Sequence, residues 1–300
     1  MSSELRAPTV DDLPGLVALS ERRFNSMSET QIRDRLGSPR TGAGDNWRVS
    51  IGDEGRIVGG VFLWHSEQGS ERVFFQVVAY PEEPEKYGRL VDWGEERARV
   101  LTESRAGRVH VSCPGGDELL AGVLRDRGFE LVRHFFTMEI DVAEEPPEPE
   151  WPEGVAVRSF EPGEERAVYD VDMEAFQDHW DFFPAPFEEW WEFFLDRSDF
   201  DSGLWSLALD GGEIAGTALC NWEGRPGIGR VNVLAVRRPW RRRGLGRALL
   251  LRSFHEFRKR GRTTVDLNVD AENLTGAVGL YERAGMHVAH RDDTYRKDFS

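Results

Sequence analysis

The feature that most constrains the fold is an acidic, proline-rich segment at residues 141–153, which divides the chain almost in half. Its thirteen residues include four prolines and six acidic side chains. Proline removes backbone donors and the like charges repel one another, so the segment can form neither a helix nor a paired strand. We therefore predict an extended linker between two domains, residues 1–140 and 154–300.

The two halves repeat one order of predicted elements. Each opens with a short strand and a helix, and each closes with a helix, a glycine–hydrophobic pair (Gly128–Phe129 and Gly285–Met286) and a β-rich segment. A single repeat with a period of about 150 residues indicates duplicated domains rather than a solenoid. We therefore predict an α+β fold of two tandem domains, each a mixed, mostly antiparallel sheet flanked by helices.

Composition excludes several classes of function. The formal net charge of −16 argues against a general nucleic-acid binder, which needs a basic face. Cys113 and Cys220 are too few and too far apart for a disulfide framework or a zinc site, and the seven histidines show no metal-ligand spacing. The sequence has no secretory signal and no long apolar run. We expect a cytoplasmic protein with no metal and no membrane contact, either a monomer or a homodimer.

The segment that carries chemistry is VNVLAVRRPWRRRGLGRALL, residues 231–250, in which a buried strand leads into a turn with six arginines and then into a helix. Gly244 and Gly246 remove side chains where the backbone must curl, so consecutive N–H groups can point at one anion. The start of the helix adds unpaired donors and the positive end of its dipole. The turn is therefore suited to a pyrophosphate, although it is neither a Walker loop nor a GxGxxG motif.

This turn resembles a known coenzyme motif. Residues 241–246 match the R/Q-x-x-G-x-G/A signature of the GNAT superfamily of N-acetyltransferases, and Asn273 with residues 280–286 resembles its downstream N…LYE element. The resemblance covers residues 154–300 strongly and residues 4–141 in outline. The tandem arrangement is similar to that of mycothiol synthase and related actinobacterial two-domain proteins. The resemblance implies contacts with acetyl-CoA, the acyl-donor cosubstrate, at Leu234, Ala235, Val236, Arg241, Arg242, Arg243, Gly244, Leu245, Gly246, Arg247, Asn273 and Tyr281.

The resemblance also implies a reaction, the direct transfer of an acetyl group to the primary amine of a small molecule in the C-terminal domain. Tyr281 is the candidate acid, because a phenol with a pKa of about 10 can protonate the departing thiolate. Main-chain N–H groups near Leu234 and Ala235 would polarise the thioester carbonyl. Two alternatives stay open, a catalytically inactive acyl-CoA sensor and an acetyltransferase that acts on protein N-termini or lysines.

The general base is less well defined. Many relatives carry Glu or His at the strand positions that Asn232 and Arg230 hold here, and neither of these is a base at neutral pH. The remaining candidates are Glu223, Asp178 and His179. Each is also consistent with a surface carboxylate or a helix-capping histidine, and ordered water or deprotonation in solvent would serve instead.

An aromatic segment at residues 175–194 is the candidate acceptor region. Its mixture of aromatic and acidic side chains would suit an amine that carries apolar surface. The predicted substrate-binding residues are Asp178, His179, Trp180, Phe183 and Trp190. The alternative is that these aromatic side chains pack against the first domain.

The first half departs from the motif at the decisive turn. Where a coenzyme-binding domain would place R-x-x-G-x-G, this chain has PEEPEKYGRL at residues 81–90, with three glutamates and a single glycine, Gly88. Negative charge there disfavours a pyrophosphate. We therefore expect residues 1–140 to be a degenerate domain that binds no coenzyme and serves as scaffold or as one wall of the acceptor cleft.

Overall fold

The chain folds into two compact units. The computed structural model describes residues 5–23, 26–37, 44–65, 71–80, 84–102, 107–196, 200–222, 227–273 and 276–299. The first unit comprises Met1–Phe135 together with His290–Ser300, and the second comprises Phe136–Ala289.

The first unit contains helices and a six-stranded sheet. Its elements are β1 (Leu5–Arg6), α1 (Leu13–Ser20), α2 (Glu29–Gly37), β2 (Trp47–Ile51), β3 (Ile57–His65), β4 (Arg72–Ala79), α3 (Pro84–Leu101), β5 (Arg108–Pro114), α4 (Glu118–Asp126) and the first part of β6 (Glu130–Asp141). The strand order is β1-β2-β3-β4-β5 followed by the last strand of the chain. Strands β4 and β5 are parallel, and the neighbouring pairs are antiparallel.

The second unit repeats this plan. Its elements are the end of β6, then β7 (Val155–Ser159), α5 (Glu165–Phe176), α6 (Phe187–Phe194), β8 (Ser206–Asp210), β9 (Glu213–Trp222), β10 (Ile228–Val236), α7 (Leu245–Lys259), β11 (Thr264–Asp270), α8 (Ala277–Arg283) and the first part of β12 (His287–Asp298). The strand order is β6-β11-β10-β9-β8-β7, with β10 and β11 parallel. Two mixed, mostly antiparallel sheets flanked by helices confirm the predicted fold class.

The unit boundaries differ from the predicted domain boundaries because the end of β6 belongs to the second unit and the end of β12 belongs to the first. Strand β12 pairs with β5, with Thr294 opposite Ser112, and Tyr295 is buried in the first unit's core. Met138 of β6 is buried in the second unit's core. The strand patterns cannot reveal this exchange, since the same alternation fits the edge of either sheet.

The acidic segment at residues 141–153 belongs to the second unit and is not a spacer. It forms no helix or strand beyond Asp141, as its prolines require. Val142 is nevertheless fully buried, and its N–H donates to the carbonyl oxygen of Thr263 (2.8 Å). The His255 ring lies 3.1 Å from the carbonyl oxygen of Pro147. The segment therefore packs along the unit that follows it.

Helix α7 shows how apolar spacing positions the site. Its residues at helical spacing are all buried: Leu245, Ala248, Leu249, Phe254 and Phe257. This apolar face holds the helix against β9 and β10. The beginning of α7 is thereby held at the end of β10.

None of the helices in the described part of the chain is both long and apolar enough to cross a membrane.

Candidate active site

The candidate site forms where β10 and β11 separate. Their parallel ladder ends at the Val231–Leu267 pair, although β10 continues to Val236 and β11 to Asp270. On its other edge β10 stays paired with β9 up to Val236. The backbone of residues 234–236 therefore has one edge that no longer belongs to the ladder with β11, as the predicted contacts with a coenzyme arm require.

The turn after β10 exposes a row of main-chain donors. Arg242 and Gly244 have left-handed φ angles of 64° and 84°, and α7 begins at Leu245. Within residues 227–273, all of which the structure describes, the N–H groups of residues 242–247 donate no hydrogen bond to the chain. Such a row at a helix N-terminus is an anion site. The left-handed backbone of a non-glycine residue is the kind of strain that functional turns hold.

Arg241 holds the turn in place rather than facing the anion site. Its guanidinium donates to the carbonyl oxygens of Val236 (2.9 Å) and Ala175 (3.1 Å). It also donates to the carboxylate of Asp178 (2.8 Å). Its main-chain N–H donates to the carbonyl oxygen of Arg238 (3.3 Å). Three of the five guanidinium N–H groups of Arg241 are thus used within the chain, and its predicted coenzyme contact stays a prediction.

The arginines beyond Arg241 are better placed for phosphate groups. Arg242 and Arg243 are exposed, and Arg247 is half-buried. Arg243 lies 3.8 Å from the carboxylate of Asp210, a long ion pair. These three side chains carry positive charge beside the row of N–H groups.

Asp178 is not a general base. Hydrogen bonds from Arg238 (2.6 Å) and Arg241 (2.8 Å) lower the pKa of its carboxyl to about 2. A carboxylate with that pKa is a poor proton acceptor at neutral pH. The same two arginines compensate its charge, so the predicted attraction for an amine is also lost. Asp178 joins the end of α5 to the arginine turn.

His179 remains a candidate general base in the structure. Its ring lies 4.2 Å from the ring of Phe176, measured between centroids. Burial lowers the pKa of the imidazole, and the nearby carboxylate of Asp270 offsets part of this effect. The ring is therefore neutral at pH 7, as a proton acceptor must be. The remaining candidate, Glu223, lies outside the described residues.

Tyr281 lies on α8 with its side chain buried in the second unit's core. Burial raises the pKa of its phenol to about 12, so the group carries its proton at neutral pH. Among the described residues, none accepts or donates a hydrogen bond at its hydroxyl. A buried tyrosine ordinarily finds such a partner, so the hydroxyl is available to a bound ligand.

Asn273 lies in the connection between β11 and α8. Its main-chain N–H donates to the carbonyl oxygen of Asp270 (3.1 Å), and its own carbonyl oxygen accepts from Gly276 (3.4 Å). These contacts shape the turn before Tyr281. The predicted coenzyme contact of Asn273 stays a prediction.

The aromatic segment divides into a core part and a more accessible part. Trp190 is 3% exposed, donates from Nε1 to Asp172 (3.1 Å) and packs against Trp205, so the prediction that it binds substrate is wrong. Its apolar surface is used within the second unit's own core. Phe183 is 46% exposed and Trp180 is half-buried, so both stay candidates for the acceptor region.

Asp172 is a buried acid that sequence reasoning missed. It is 2% exposed and accepts hydrogen bonds from Trp190 (3.1 Å) and Thr217 (3.1 Å). Burial raises the pKa of its carboxyl to about 7. The signal was present, because Asp172 interrupts the apolar face of α5 next to Val171.

Other reactive side chains lie apart from this site. Cys113 and Cys220 are buried, and burial raises the pKa of each thiol to about 12, in keeping with a core role. Glu145, Glu148 and His255 bring possible metal-ligand atoms within 4.8 Å of one another, in the acidic segment and on α7. The expectation of no metal stays a prediction.

Comparisons with known proteins agree with this geometry. Residues 166–286 match the model of the acetyltransferase (GNAT) family. Mycothiol acetyltransferase of Streptomyces scabiei is 30% identical over 68% of this chain and 67% of its own length. Mycothiol acetyltransferase of Geodermatophilus obscurus is 30% identical over 98% of this chain and 92% of its own length.

Solved structures extend the likeness to the whole chain. A GCN5-related N-acetyltransferase from Sphaerobacter thermophilus superposes with a TM-score of 0.83 at 31% identity, over 99% of this chain and 95% of the other. A tandem GNAT protein from the clavulanic acid biosynthesis pathway, at 16% identity and a TM-score of 0.70, shares the fold over 100% and 99% of the two chains. The chain belongs to the GNAT family of N-acetyltransferases, which confirms the resemblance seen in its motifs. Its relatives include proteins named mycothiol acetyltransferase.

Proposed function

We propose that this protein is an acetyl-CoA-dependent N-acetyltransferase whose second unit transfers the acetyl group directly to a primary amine of a small molecule. The observation that carries the proposal is the row of main-chain N–H groups at residues 242–247, which have no acceptor among the residues that the structure describes. A pyrophosphate fits such a row at a helix N-terminus. We include in the proposal that the first unit binds no coenzyme.

The residues of the second unit have distinct tasks in this proposal. The turn at residues 242–247 binds the pyrophosphate, and the open edge of β10 at residues 234–236 orients the acetyl-bearing arm. When bound, acetyl-CoA supplies the activated acyl group. Tyr281 gives its proton to the departing thiolate, and a pKa raised to about 12 keeps that proton in place until then. His179 or water takes the proton that the amine nitrogen loses.

Support for a small acceptor comes from the relatives that carry the name mycothiol acetyltransferase. The competing function is an acyl-CoA sensor that no longer turns over. One observation favours it: the strand positions that carry Glu or His in many relatives hold Asn232 and Arg230 here, and Arg230 is paired with Asp266 (2.9 Å).

A two-stage experiment separates these functions. Acetyl-CoA is first titrated into the protein by calorimetry, and thiol release is then followed over a panel of primary amines, with peptides bearing a free N-terminus or lysine as the protein-substrate arm. We expect binding together with thiol release for at least one small amine. Binding without release for any amine would favour the sensor, and release with peptides alone would favour a protein acetyltransferase.

A further inference from the structure

On the second unit's sheet, the face opposite α7 changes from polar to apolar along β10. Val231 packs into the cluster that contains Phe254 and Phe257 of α7, so Arg230, its neighbour in the regular part of the ladder, points to the opposite face. Beyond the irregularity that follows Val231, Val233 packs under α5 and α6, in the cluster that contains Trp190. The opposite face is therefore apolar beneath α5 and α6 and polar at Arg230, and Asn232 lies at the irregularity between these two parts.

The charge on this polar part is compensated. Arg230 donates to Asp266 (2.9 Å) and to Asn268 (2.9 Å), which are its neighbours on β11. Thr137 of β6 donates to the same Asn268 oxygen (2.9 Å). Asn268 is exposed, so this part of the face reaches solvent. The surface offers hydrogen bonds to a ligand without a strong net charge.

Two amide oxygens beside this polar part of the sheet lack partners. The Oδ1 atoms of Asn221 and Asn232 are buried and, among the described residues, accept no hydrogen bond. Asn221 is 7% exposed and lies opposite Arg230 in the β9–β10 register, and Asn232 follows Arg230 by two residues, at the irregularity in that register. A buried acceptor without a donor destabilises the fold, and native proteins rarely retain one without a ligand, water or functional reason.

We propose that these two oxygens position the acceptor: Asn232 accepts a hydrogen bond from the attacking amine, and Asn221 accepts one from a second donor on the same molecule. This inference rests on the proposed function. It names the acceptor class as a small primary amine that also carries a hydroxyl or amide N–H group.

The chemistry of transfer suits an acceptor oxygen that is not a base. The amine lone pair forms the C–N bond as the C–S bond breaks, the nitrogen loses one proton and the thiolate gains one. Positive charge grows on the nitrogen during attack, so its N–H becomes a stronger donor to Asn232. A hydrogen bond that strengthens in the transition state accelerates the reaction as well as binding the substrate.

Stability measurements on three variants test whether the two asparagines serve the fold or a ligand. Asn221→Leu and Asn232→Leu remove partnerless oxygens, so both should unfold at the wild-type temperature or above it. Asn268→Leu is the matched control, because its oxygen accepts from Thr137 and Arg230, and it should unfold at a lower temperature. Loss of stability in the first two variants equal to that of the control would overturn the proposal.

Binding measurements use 2-amino-1,3-propanediol and its isostere without hydroxyls, 3-aminopentane, titrated into protein saturated with coenzyme A. We expect the wild type to bind the diol at least about tenfold more tightly, Asn221→Leu to lose this preference, and Asn232→Leu to bind both amines about tenfold more weakly. Equal or absent binding of the two amines in the wild type, or a preference that survives in Asn221→Leu, would overturn it. If the wild type prefers the diol as expected but releases no thiol from acetyl-CoA, the result would support the inference and reject the proposed function.

Discussion

The two units carry the same element order and differ where chemistry would occur. In each unit a helix ends with the same main-chain hydrogen bond. The N–H of Met286 donates to the carbonyl oxygen of Tyr281 (3.0 Å), and the N–H of Phe129 donates to the carbonyl oxygen of Leu124 (3.0 Å). Position 124 of the first unit therefore corresponds to position 281 of the second. The candidate acid of the second unit is replaced by a fully buried leucine in the first.

The turns before the long helices α3 and α7 also differ in how well they could stabilise an anion. In the second unit the residues before α7 are left-handed at Arg242 and Gly244. In the first unit α3 begins at Pro84 with Glu85 in its first turn, and Glu82 and Glu83 lie outside the described residues. A glutamate beside a helix N-terminus already occupies the place where an anion would be stabilised.

Tyr87 joins three elements of the first unit. Its hydroxyl donates to Asp117 at the start of α4 (3.1 Å) and lies 3.3 Å from the carbonyl oxygen of Ala79 at the end of β4. The hydroxyl of Tyr281 has no such partner among the described residues. The comparison teaches that apolar patterning preserves the fold, whereas a few glycines and one tyrosine distinguish the candidate site from the corresponding region of the first unit.

The largest expected effect is on coenzyme affinity. A Cβ at Gly246 would lie 3.6 Å from Leu280 and Val236, an ordinary contact, so Gly246→Val should fold. Its methyl groups would crowd the first N–H groups of α7, and we expect acetyl-CoA affinity to fall at least about 100-fold, as measured by calorimetry. Gly122→Val, with open space around it on α4 of the first unit, is the control. Retained affinity in Gly246→Val would refute the assignment of this turn.

A pair of tyrosine variants, one in each unit, tests whether the two units differ in their effect on catalysis. Tyr281→Phe should lower kcat about 100-fold in a thiol-release assay and leave acetyl-CoA affinity within a few-fold, because only the proton donor is lost. Tyr87→Phe should leave kcat unchanged and reduce the free energy of unfolding by about 1 kcal/mol, because it loses the hydrogen bond to Asp117. Equal kinetic effects of the two variants would remove the asymmetry between the units.

Local features of the fold were predictable and long-range ones were not. The bounds of β7, β8 and β9 follow from β-branched and apolar runs and from the Gly211–Gly212 hairpin, which are short-range signals in the sequence. The turn with Gly244 was equally local. The exchange of β6 and β12 depends on which sheet edge each strand meets, and strand alternation does not encode that choice.

The base and the acceptor region were less predictable for the same reason. Asp178 meets Arg238 and Arg241 across about 60 residues of sequence, so its lowered pKa follows from tertiary structure alone. Trp190 is an aromatic residue in an aromatic segment, and only the fold shows that it faces the core.

A smaller effect is expected at His179. Burial lowers the pKa of the imidazole below the ordinary value of about 6.5, so activity should fall only as the pH drops through that lowered value. His179→Asn should lower kcat/KM for the amine about tenfold at pH 7 and remove this acid limb. The exposed His287→Asn is the control. An unchanged pH profile in His179→Asn would assign proton removal to water or to another group.

A last effect concerns stability rather than kinetics, at Asp172, where the corresponding position of α1 holds Ser20. The pKa of the Asp172 carboxyl is about 7 in the folded state and lies above its unfolded value. The stability that this group contributes is therefore fully present below pH 4 and is lost as the pH rises through 7. At pH 8, Asp172→Asn should exceed the wild type by about 2 kcal/mol in free energy of unfolding.

Asp178→Asn is the control of opposite sign for this titration. Its folded-state pKa of about 2 lies below the unfolded value, so its contribution is present at neutral pH and lost on acidification. Denaturant unfolding at several pH values measures both variants. If the free energies of unfolding of the wild type and Asp172→Asn changed in parallel with pH, Asp172 would not titrate on unfolding.

The number of coenzyme molecules bound per chain tests the central claim most directly. Calorimetric titration of the full chain with acetyl-CoA should give one binding event per polypeptide, which Gly246→Val abolishes. Two equivalent binding events, or a single one that survives in Gly246→Val, would contradict the assignment of the coenzyme to the turn at residues 242–247.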